Sequence, residues 1–390
     1  MFLKKVGVIF MFAVMTIGCL LCITALSFLL SGEIFSHSIK KSARKKMLGI
    51  NLVVTVLFFV LYPGILTKDF GGVLTKITIL WFMLQIFLII LAVIIKVLRL
   101  IYEKTSGTPV DESRRRFLRG CIWVPAIAGS LYGGLYEYGR IEFTNVDIDA
   151  GEYTRLSKLK IAQLSDVHLG QFFSVRHLQE VLIQIIQQKA DMLVLTGDIF
   201  DSTKGSDNDE AIKLLNAYAQ FFPFGVYMCW GNHEHLRGID HLKEELSKTN
   251  IKVLNNESVK IFSGDKPLYI LGVDFLNGDM TPNVVQAREK YVAKAMENVP
   301  ENAYKILLAH HSIFLDEAFK NKINLTLTGH THGGQFGFMG IPLLPMFKYM
   351  SGKFEQDGCI GYVSRGAGSW FPFRIGCPPE VTFFNFKVKG

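Results

Sequence analysis

The fold is indicated by the stretch LVLTGD at residues Leu193–Asp198, a short apolar run that ends in Gly-Asp. Aliphatic residues followed directly by glycine are typical of a buried strand whose carboxyl end opens into a loop. In α/β proteins, these strand ends carry the ligand-binding and catalytic groups. A turn residue that closes a strand is the simpler interpretation of Asp198 alone. The choice therefore depends on the residue types at the ends of the other apolar runs.

Four further apolar runs also end in side chains that can bind metal ions. These side chains are Asp166 and His168 after residues 161–165, Asn232 and His233 after 226–230, His310 after 306–309, and His330 and His332 after 325–328. If the runs are strands that end at one edge, their carboxylate, amide and imidazole groups converge there. Such a mixed oxygen and nitrogen ligand set predicts a divalent-metal site.

Apolar runs alternate with amphipathic stretches through the second half of the chain. The pattern predicts strands at 159–165, 192–196, 224–229, 251–254, 259–262, 268–273, 305–309 and 324–328, and helices at 177–189, 209–220, 239–248 and 284–297. This order predicts a layered α/β (α+β) fold with two packed mixed β-sheets flanked by helices. We assign residues 158–390 to this domain, 141–157 to a linker, and 1–140 to an all-α membrane region.

The first 140 residues differ in composition from the rest of the chain. They carry 17 Lys and Arg against 6 Asp and Glu, whereas the remaining residues carry 25 against 28. About four apolar stretches, at 6–30, 48–66, 77–95 and 120–136, predict membrane-spanning helices. Their middles contain no Asp, Glu, Arg or His, which favours an anchor over a transporter. The basic charge belongs to the membrane flanks, so we expect a bilayer partner and no nucleic-acid partner.

Two basic segments predict the orientation of this membrane region. Five Lys and Arg residues lie within Lys40–Lys46, and four Arg residues lie within Arg114–Arg119. The positive-inside rule places both segments in the cytoplasm, which predicts a multi-pass inner-membrane protein with its catalytic domain outside the cytoplasm. The stretch Ser113–Arg119 also resembles a twin-arginine export signal. A plain basic membrane flank remains the alternative interpretation.

Taken in order, these motifs resemble those of the calcineurin-like metallophosphoesterases. The residues that carry the resemblance are Asp166-Val167-His168, Gly197-Asp198, Gly231-Asn232-His233-Glu234, His310 and Gly329-His330-Thr331-His332. The resemblance implies two metal ions that share one carboxylate. Asp166, His168, Asp198 and His332 would hold the first ion, and Asp198, Asn232, His310 and His330 the second. Mn, Fe and Zn all suit these ligands, so the identity of the ions stays open.

The resemblance also implies an activity, that of a metal-dependent phosphoric ester hydrolase. A metal-activated hydroxide would attack phosphorus, Asp198 would bridge the ions, and His233 would assist the leaving oxygen as a catalytic acid. The ending of the chain is similar to a branch of membrane-linked or twin-arginine-exported bacterial phosphodiesterases related to UDP-2,3-diacylglucosamine pyrophosphatases. We therefore expect hydrolysis of a phosphodiester or pyrophosphate bond in a cell-envelope or lipid-linked substrate. A phosphomonoesterase, or a catalytically silent membrane receptor or scaffold, is the alternative.

Three assignments stay open at this point. His310 directly follows a predicted strand, but Ser312 stands where the family motif usually has proline, so His311 remains a second candidate ligand. Arg365 and Arg374 could each bind a substrate phosphate, and a structural salt bridge is an equal alternative for both. The apolar insertion Gly337–Met350 is either core or a lip that touches the bilayer or an acyl chain.

Overall fold

The computed structural model describes residues 18, 21–27, 29–30, 41–61, 68–170, 172–202, 205–276, 281–338, 341–369 and 371–388. The contacts between residues divide the chain into two compact units, Met1–Tyr136 and Glu137–Gly390. The boundary falls close to the predicted end of the membrane region at residue 140.

The first unit is helical wherever the structure assigns regular secondary structure. Residues 21–27 are helical, and the helices that follow are α1 (Lys41–Leu61), α2 (Lys68–Ser106) and α3 (Glu112–Leu131), with a π-helical turn at Tyr132–Tyr136. Within the described residues, one helix is long and apolar enough to cross a bilayer, Val73–Ser106 of α2, and it contains the predicted span 77–95. The predicted span 120–136 is helical, but α3, which contains its first part, does not meet the same criterion of length and composition. Most of the predicted span 6–30 and part of the predicted span 48–66 lie outside the described residues.

A buried polar cluster joins the helices of the first unit. Asn51 of α1 donates to Gln85 of α2 over 2.6 Å, and the Trp81 indole donates to Asn51 over 2.8 Å. Ser27 also donates to Gln85, over 3.2 Å. Hydrogen bonds of this kind hold helices together where the surroundings are apolar. Asn51 and Gln85, which lie inside the predicted spans 48–66 and 77–95, therefore serve helix packing.

The second unit is built on two six-stranded sheets. Its strands are β1 (Glu142–Asp149), β2 (Lys160–Leu164), β3 (Met192–Thr196), β4 (Val226–Cys229), β5 (Ile251–Val253), β6 (Glu257–Phe262), β7 (Leu268–Gly272), β8 (Tyr304–His311), β9 (Leu325–Gly329), β10 (Gly337–Phe338), β11 (Ile341–Pro342), β12 (Gly352–Gln356), β13 (Cys359–Val363) and β14 (Glu380–Lys387). One sheet has the order β1-β14-β2-β3-β4-β5 and the other β12-β13-β9-β8-β7-β6, while β10 and β11 form a separate hairpin. Both large sheets combine parallel and antiparallel pairs.

Helices flank these sheets and cover their outer faces. They are α4 (Val175–Gln187), α5 (Gly205–Ala219), α6 (Asn232–Arg237), α7 (Ile239–Ser247), α8 (Pro282–Ala295) and α9 (Phe314–Lys320). Helix α4 begins at Ser174, whose hydroxyl accepts the backbone N–H of His177, and its apolar face is buried. The predicted fold class, two packed mixed sheets flanked by helices, is confirmed.

Strand β3 shows why the central strands are apolar on both faces. Leu193 and Leu195 pack in the cluster between the first sheet and its helices, whereas Met192 and Val194 pack in the cluster between the two sheets. Successive side chains of a strand point to opposite faces, so a strand that is covered on both sides needs a continuous apolar run. Burial of each such side chain stabilises the fold by roughly 1.5–3 kcal/mol.

The predicted linker 141–157 is partly wrong, because residues 142–149 form strand β1. This strand pairs in parallel with β14 along its whole length, from Glu142–Glu380 to Asp149–Lys387. The sequence hides it because β1 lies at the edge of its sheet, where most of its side chains are only half-buried or exposed. Edge strands carry polar residues that avoid further pairing, so their alternating pattern is weak.

Candidate metal centre

The metal-ligand candidates lie together at the carboxyl ends of five strands. Strands β2, β3 and β4 run parallel in one sheet, and β8 and β9 run parallel in the other. The residues that end or follow these strands include all seven predicted ligands: Asp166, His168, Asp198, Asn232, His310, His330 and His332. The topology thus brings together side chains that are up to 166 positions apart in the sequence.

One group of ligand atoms consists of Asp166, His168 and His332. The Nε2 atoms of the two histidines are 3.0 Å apart, and Nε2 of His332 lies 3.6 Å from Oδ1 of Asp166. All three ligand atoms lie within 4.8 Å of one another, and all three residues are buried. These atoms therefore converge on one point.

A second group consists of Asp198, His310 and His330, with Asn232 beside it. The Nε2 atom of His310 is 3.1 Å from Oδ2 of Asp198, 3.1 Å from Oδ1 of Asn232 and 3.1 Å from Nδ1 of His330. The same Oδ2 atom of Asp198 lies 3.7 Å from Nε2 of His168, which belongs to the first group. Asp198 therefore lies between the two groups.

The electrostatics of three of these buried groups suit cations. Burial, reinforced by neighbouring cationic groups, holds the pKa of His330 and of His332 well below the usual range, so both rings keep a free lone pair. Burial opposes ionisation of Asp198, but His310, His233 and His168 hold the pKa of this carboxyl well below its usual range. Two carboxylates, an amide oxygen and four imidazoles form a donor set that fits divalent metal ions.

The choice between His310 and His311 is made by their hydrogen bonds. Nδ1 of His310 lies 2.8 Å from the Thr196 carbonyl oxygen, which turns Nε2 toward Asp198. In contrast, Nδ1 of His311 accepts the backbone N–H of Ile313 over 3.1 Å. Burial, with the nearby His310, lowers the pKa of His311 to about 3. His310 is therefore the member of the ligand cluster.

The backbone of the ligand loops adopts an uncommon conformation. Five of the predicted ligand residues have left-handed φ angles, Asp166 at 51°, His168 at 48°, Asp198 at 54°, His330 at 73° and His332 at 49°. Residues other than glycine rarely adopt this backbone region, which costs about 1–3 kcal/mol per residue. Residues that do adopt it concentrate at functional sites. A Cβ atom on Gly231 would collide with the Asp198 carboxylate, and one on Gly329 with that of Asp166. Glycine at these two positions thus lets the strands approach the ligands.

Glu234 holds the loop that carries Asp198. Its fully buried carboxylate accepts four backbone N–H groups, from Asp198 and Gly231 on one oxygen and from Ile199 and Phe200 on the other. It contacts backbone donors instead of the ligand cluster. Glu234 is therefore a positioning residue.

The sequence analysis missed Asp201, which links the ligand cluster to His233. Its Oδ1 atom lies 2.8 Å from Nδ1 of His233 and 2.7 Å from Nε of Arg237, and its Oδ2 atom lies 3.3 Å from Nδ1 of His168. Burial raises its pKa, but the contacts with the two histidines outweigh burial and hold the pKa far below the usual range. An acidic residue three positions after Asp198 was the available signal.

The two predicted phosphate-binding arginines have structural partners instead. Arg374 is fully buried, and its guanidinium donates to the backbone carbonyls of Gly368, Arg365 and Cys377 and to the Ser369 hydroxyl. With its donors occupied, Arg374 has no group left for a substrate phosphate, so that prediction is corrected. Arg365 lines a cavity of about 270 Å³ but pairs with two carboxylates, Glu380 at 2.8 Å and Glu142 at 3.1 Å. Arg365 therefore forms the structural salt bridges of the alternative interpretation, and its phosphate-binding role stays a prediction.

Comparisons with known proteins identify the family of this chain. Residues 159–334 match the family described as calcineurin-like phosphoesterase. The chain is 30% identical over 298 residues to an uncharacterized metallophosphoesterase, YkuE, of Bacillus subtilis (strain 168), an alignment that covers 70% of this chain and 98% of that protein. The chain belongs to the calcineurin-like phosphoesterase family. As a member of that family it is a metal-dependent phosphoesterase, and the predicted enzyme class is confirmed.

Two other relatives of this calcineurin-like phosphoesterase have informative names. Phosphodiesterase YaeI of Escherichia coli (strain K12) is 29% identical, and the alignment covers 70% of this chain and 98% of that protein. A protein of Danio rerio called "Transmembrane protein with metallophosphoesterase domain" is 28% identical, with 60% of this chain and 54% of that protein covered. The family thus includes a named phosphodiesterase and a named membrane protein.

Proposed function

We propose that this phosphoesterase is a membrane-anchored two-metal hydrolase of phosphodiester or pyrophosphate bonds. The observation that carries the proposal is the position of Asp198 between two groups of ligand atoms, because one carboxylate there can serve two cations. Asp166, His168, Asp198 and His332 would hold one divalent ion, and Asp198, Asn232, His310 and His330 the other. When bound, the ions supply a hydroxide nucleophile and neutralise the charge of the phosphate.

His233 is the residue of this chain that we propose as catalytic acid. Its side chain is 18% exposed, and its Nε2 atom lies 4.0 Å from Oδ2 of Asp198, so it borders the ligand cluster on the open side. Burial lowers the pKa of His233, but contacts with Asp201 and Asp198 outweigh burial and raise it. A protonated imidazole there can donate a proton to the departing oxygen. This proton would neutralise the alkoxide that leaves from a diester or a monoester alike, and the proposed preference for diesters rests on the named phosphodiesterase relative.

The proposed substrate is a lipid-linked or other cell-envelope phosphate ester. Helix α2 supports an anchored enzyme, and the basic segments near residues 40–46 and 114–119 support a multi-pass inner-membrane protein with its catalytic unit outside the cytoplasm. The names of the phosphodiesterase and transmembrane relatives are consistent with this proposal. Mn, Fe and Zn are the candidate ions.

The activity is tested on the full chain purified in detergent. Hydrolysis of bis-p-nitrophenyl phosphate and p-nitrophenyl phosphate is measured after metal removal and after addition of Mn²⁺, Zn²⁺ or Fe²⁺. We expect metal-dependent hydrolysis with a higher kcat/KM for the diester. Asp198→Asn should lower kcat/KM by about a thousandfold or more, since the shared ligand is lost. Asp240→Asn, an acidic change in the first turn of α7 outside the ligand cluster, is the matched control and should retain full activity.

Two outcomes would contradict this proposal. A preference for the monoester would replace the diesterase assignment by a phosphomonoesterase. A folded, metal-loaded chain that hydrolyses neither ester, or an Asp198→Asn variant as active as the control, would contradict the two-metal reaction itself.

The orientation of the catalytic unit is tested separately with Lys260→Cys in whole cells. Labelling by a membrane-impermeant maleimide is expected, and labelling only after lysis would place the catalytic unit in the cytoplasm.

A further inference from the structure

The loop that follows the last metal ligand carries a concentrated set of exposed apolar side chains. We call the described residues 337–338 and 341–346, which include strands β10 and β11, the apolar hairpin. Its large side chains are mostly solvent-exposed, Phe338 at 65%, Ile341 at 68%, Leu343 at 60%, Leu344 at 54% and Met346 at 70%. Exposed apolar clusters of this kind mark interaction surfaces.

The rest of the second unit offers no similar cluster among its described residues. Large exposed apolar side chains occur there at Ile183, Phe221, Leu236 and Val388, which are far apart in the sequence. Single exposed apolar residues are ordinary and need no explanation. In addition, residues 336–347 contain no charged side chain, so the hairpin lacks the polar groups that usually keep a surface loop in water.

The apolar hairpin is attached directly to the metal centre. It begins five positions after His332, and the Phe347 ring that follows it lies 5.3 Å from the ring of His330. Its backbone is held by two hydrogen bonds, from Leu343 N–H to the Phe336 carbonyl and from Gly337 N–H to the Ile375 carbonyl. A surface that contacts the hairpin therefore lies next to the site where phosphate would bind.

We propose that the apolar hairpin inserts into the interfacial layer of a lipid bilayer and thereby presents the metal centre to phosphate groups at the membrane surface. The occupant follows from the chain itself, since helix α2 is long and apolar enough to cross a bilayer. A unit tethered to a membrane meets lipid at high effective concentration, and apolar side chains without charges partition into the interface. The proposal rests on the proposed function for its substrate and for the membrane anchor, but not for the two-metal reaction.

Membrane contact is measured directly on the full chain in vesicles of phosphatidylethanolamine and phosphatidylglycerol. Cys19, Cys22 and Cys121 are first replaced by Ser, and an environment-sensitive fluorophore is then attached at Leu343→Cys. The matched control carries the fluorophore at Phe221→Cys, another exposed apolar position of the same unit. We expect blue-shifted emission and quenching by nitroxide-labelled lipids for the hairpin label only. Equal signals at both positions would overturn the proposal, as would fluorophore self-quenching without lipid quenching, which would indicate a second copy of the chain as the partner.

A second experiment asks whether the contact serves catalysis. Ile341→Ser, Leu343→Ser and Leu344→Ser are combined, and Ile183→Ser with Phe221→Ser forms the control. The substrates are bis-p-nitrophenyl phosphate in solution and a diacylglycerol p-nitrophenyl phosphodiester in vesicles. For the hairpin variant we expect kcat/KM on the vesicle substrate to fall about tenfold or more, with less than about a twofold change on the soluble diester.

The two experiments separate the hairpin from the proposed reaction. Equal loss of activity on both substrates would overturn the membrane role of the hairpin, because it would point to a damaged active site. If the unmodified chain hydrolyses neither diester, the proposed reaction fails, while the fluorophore measurement still decides whether the hairpin contacts lipid.

Discussion

Glu234→Gln is the substitution whose effect can be worked out most completely from the structure. The two carboxylate oxygens of Glu234 each accept two backbone N–H groups, at distances between 2.7 and 3.0 Å. Glutamine keeps one acceptor oxygen and places an NH₂ group against the other two donors. Two hydrogen bonds to a charged group are then lost, at roughly 1.5–3 kcal/mol each, so we expect a loss of about 3–6 kcal/mol in the free energy of unfolding.

This loss is measured as a thermal transition of the second unit in detergent micelles. A change of 1 kcal/mol shifts the melting temperature by about 2–4 °C for a unit of this size, so Glu234→Gln should lower it by roughly 6–24 °C. Because two of the four donors belong to Gly231 and Asp198, metal affinity measured by titration should fall as well. Glu244→Gln is the matched control, since Glu244 is exposed and pairs only with Lys248 in a surface salt bridge of small value.

The reasoning would be refuted by a Glu234→Gln variant that melts within about 2 °C of the unmodified chain. It would also be refuted by a variant that loses stability but binds metal with unchanged affinity, because the carboxylate would then not position Asp198.

Three further predictions concern buried charges. Asp201→Asn should weaken the dependence of the melting temperature on pH in the acid range. The folded pKa of Asp201 lies below its unfolded value of about 3.9, so the carboxylate stabilises the fold fully above that pH, and this stabilisation is lost as the pH falls toward the folded value. Measuring the melting temperature at a series of acid pH values tests this. Arg288→Met should cost about 3–5 kcal/mol because it leaves Glu317, 3.0 Å away, buried without its partner, and adding Glu317→Leu should restore most of the loss in urea unfolding. Arg374→Lys should lower the melting temperature, since one ammonium group cannot reach the several acceptors of the guanidinium, while KM stays unchanged if the arginine does not touch substrate.

The central strands were predictable because burial on both faces requires a continuous run of apolar residues in the sequence. The predicted strand 192–196 coincides with β3, and the predicted helix 239–248 ends one residue beyond α7. Helices α6 and α9 were not predicted, since six and seven residues are too few for a 3.6-residue period to emerge. Strands β10 to β14 follow the last ligand motif in a stretch rich in Gly, Pro and aromatic residues, which conceals alternation.

The candidate site was more predictable than the groups that support it. Ligand candidates follow apolar runs, so the sequence indicates His310 and His311, and only the hydrogen bonds of the folded chain distinguish the two. The roles of Asp201 and Arg374 depend on contacts with residues far away along the chain, such as His233 and His332, and no local pattern reveals them. The same holds for the corrected phosphate role of Arg374, because an arginine in a glycine-rich ending looks identical whether it is exposed or enclosed.

The place of β14 in its sheet has a consequence for biosynthesis. Strand β14 lies between β1 and β2, although residues 380–387 are translated more than 200 positions after both. Until β14 has been translated, β1 lacks the strand with which it pairs, and β2 lacks its neighbour on that side. This sheet can therefore be completed only after β14 has emerged from the ribosome. The catalytic unit thus finishes folding only after the rest of its core has been translated. Early termination or a bulky fusion near residue 380 would leave a protein that contains all the predicted metal ligands but lacks the pairing of β14 with β1 and β2.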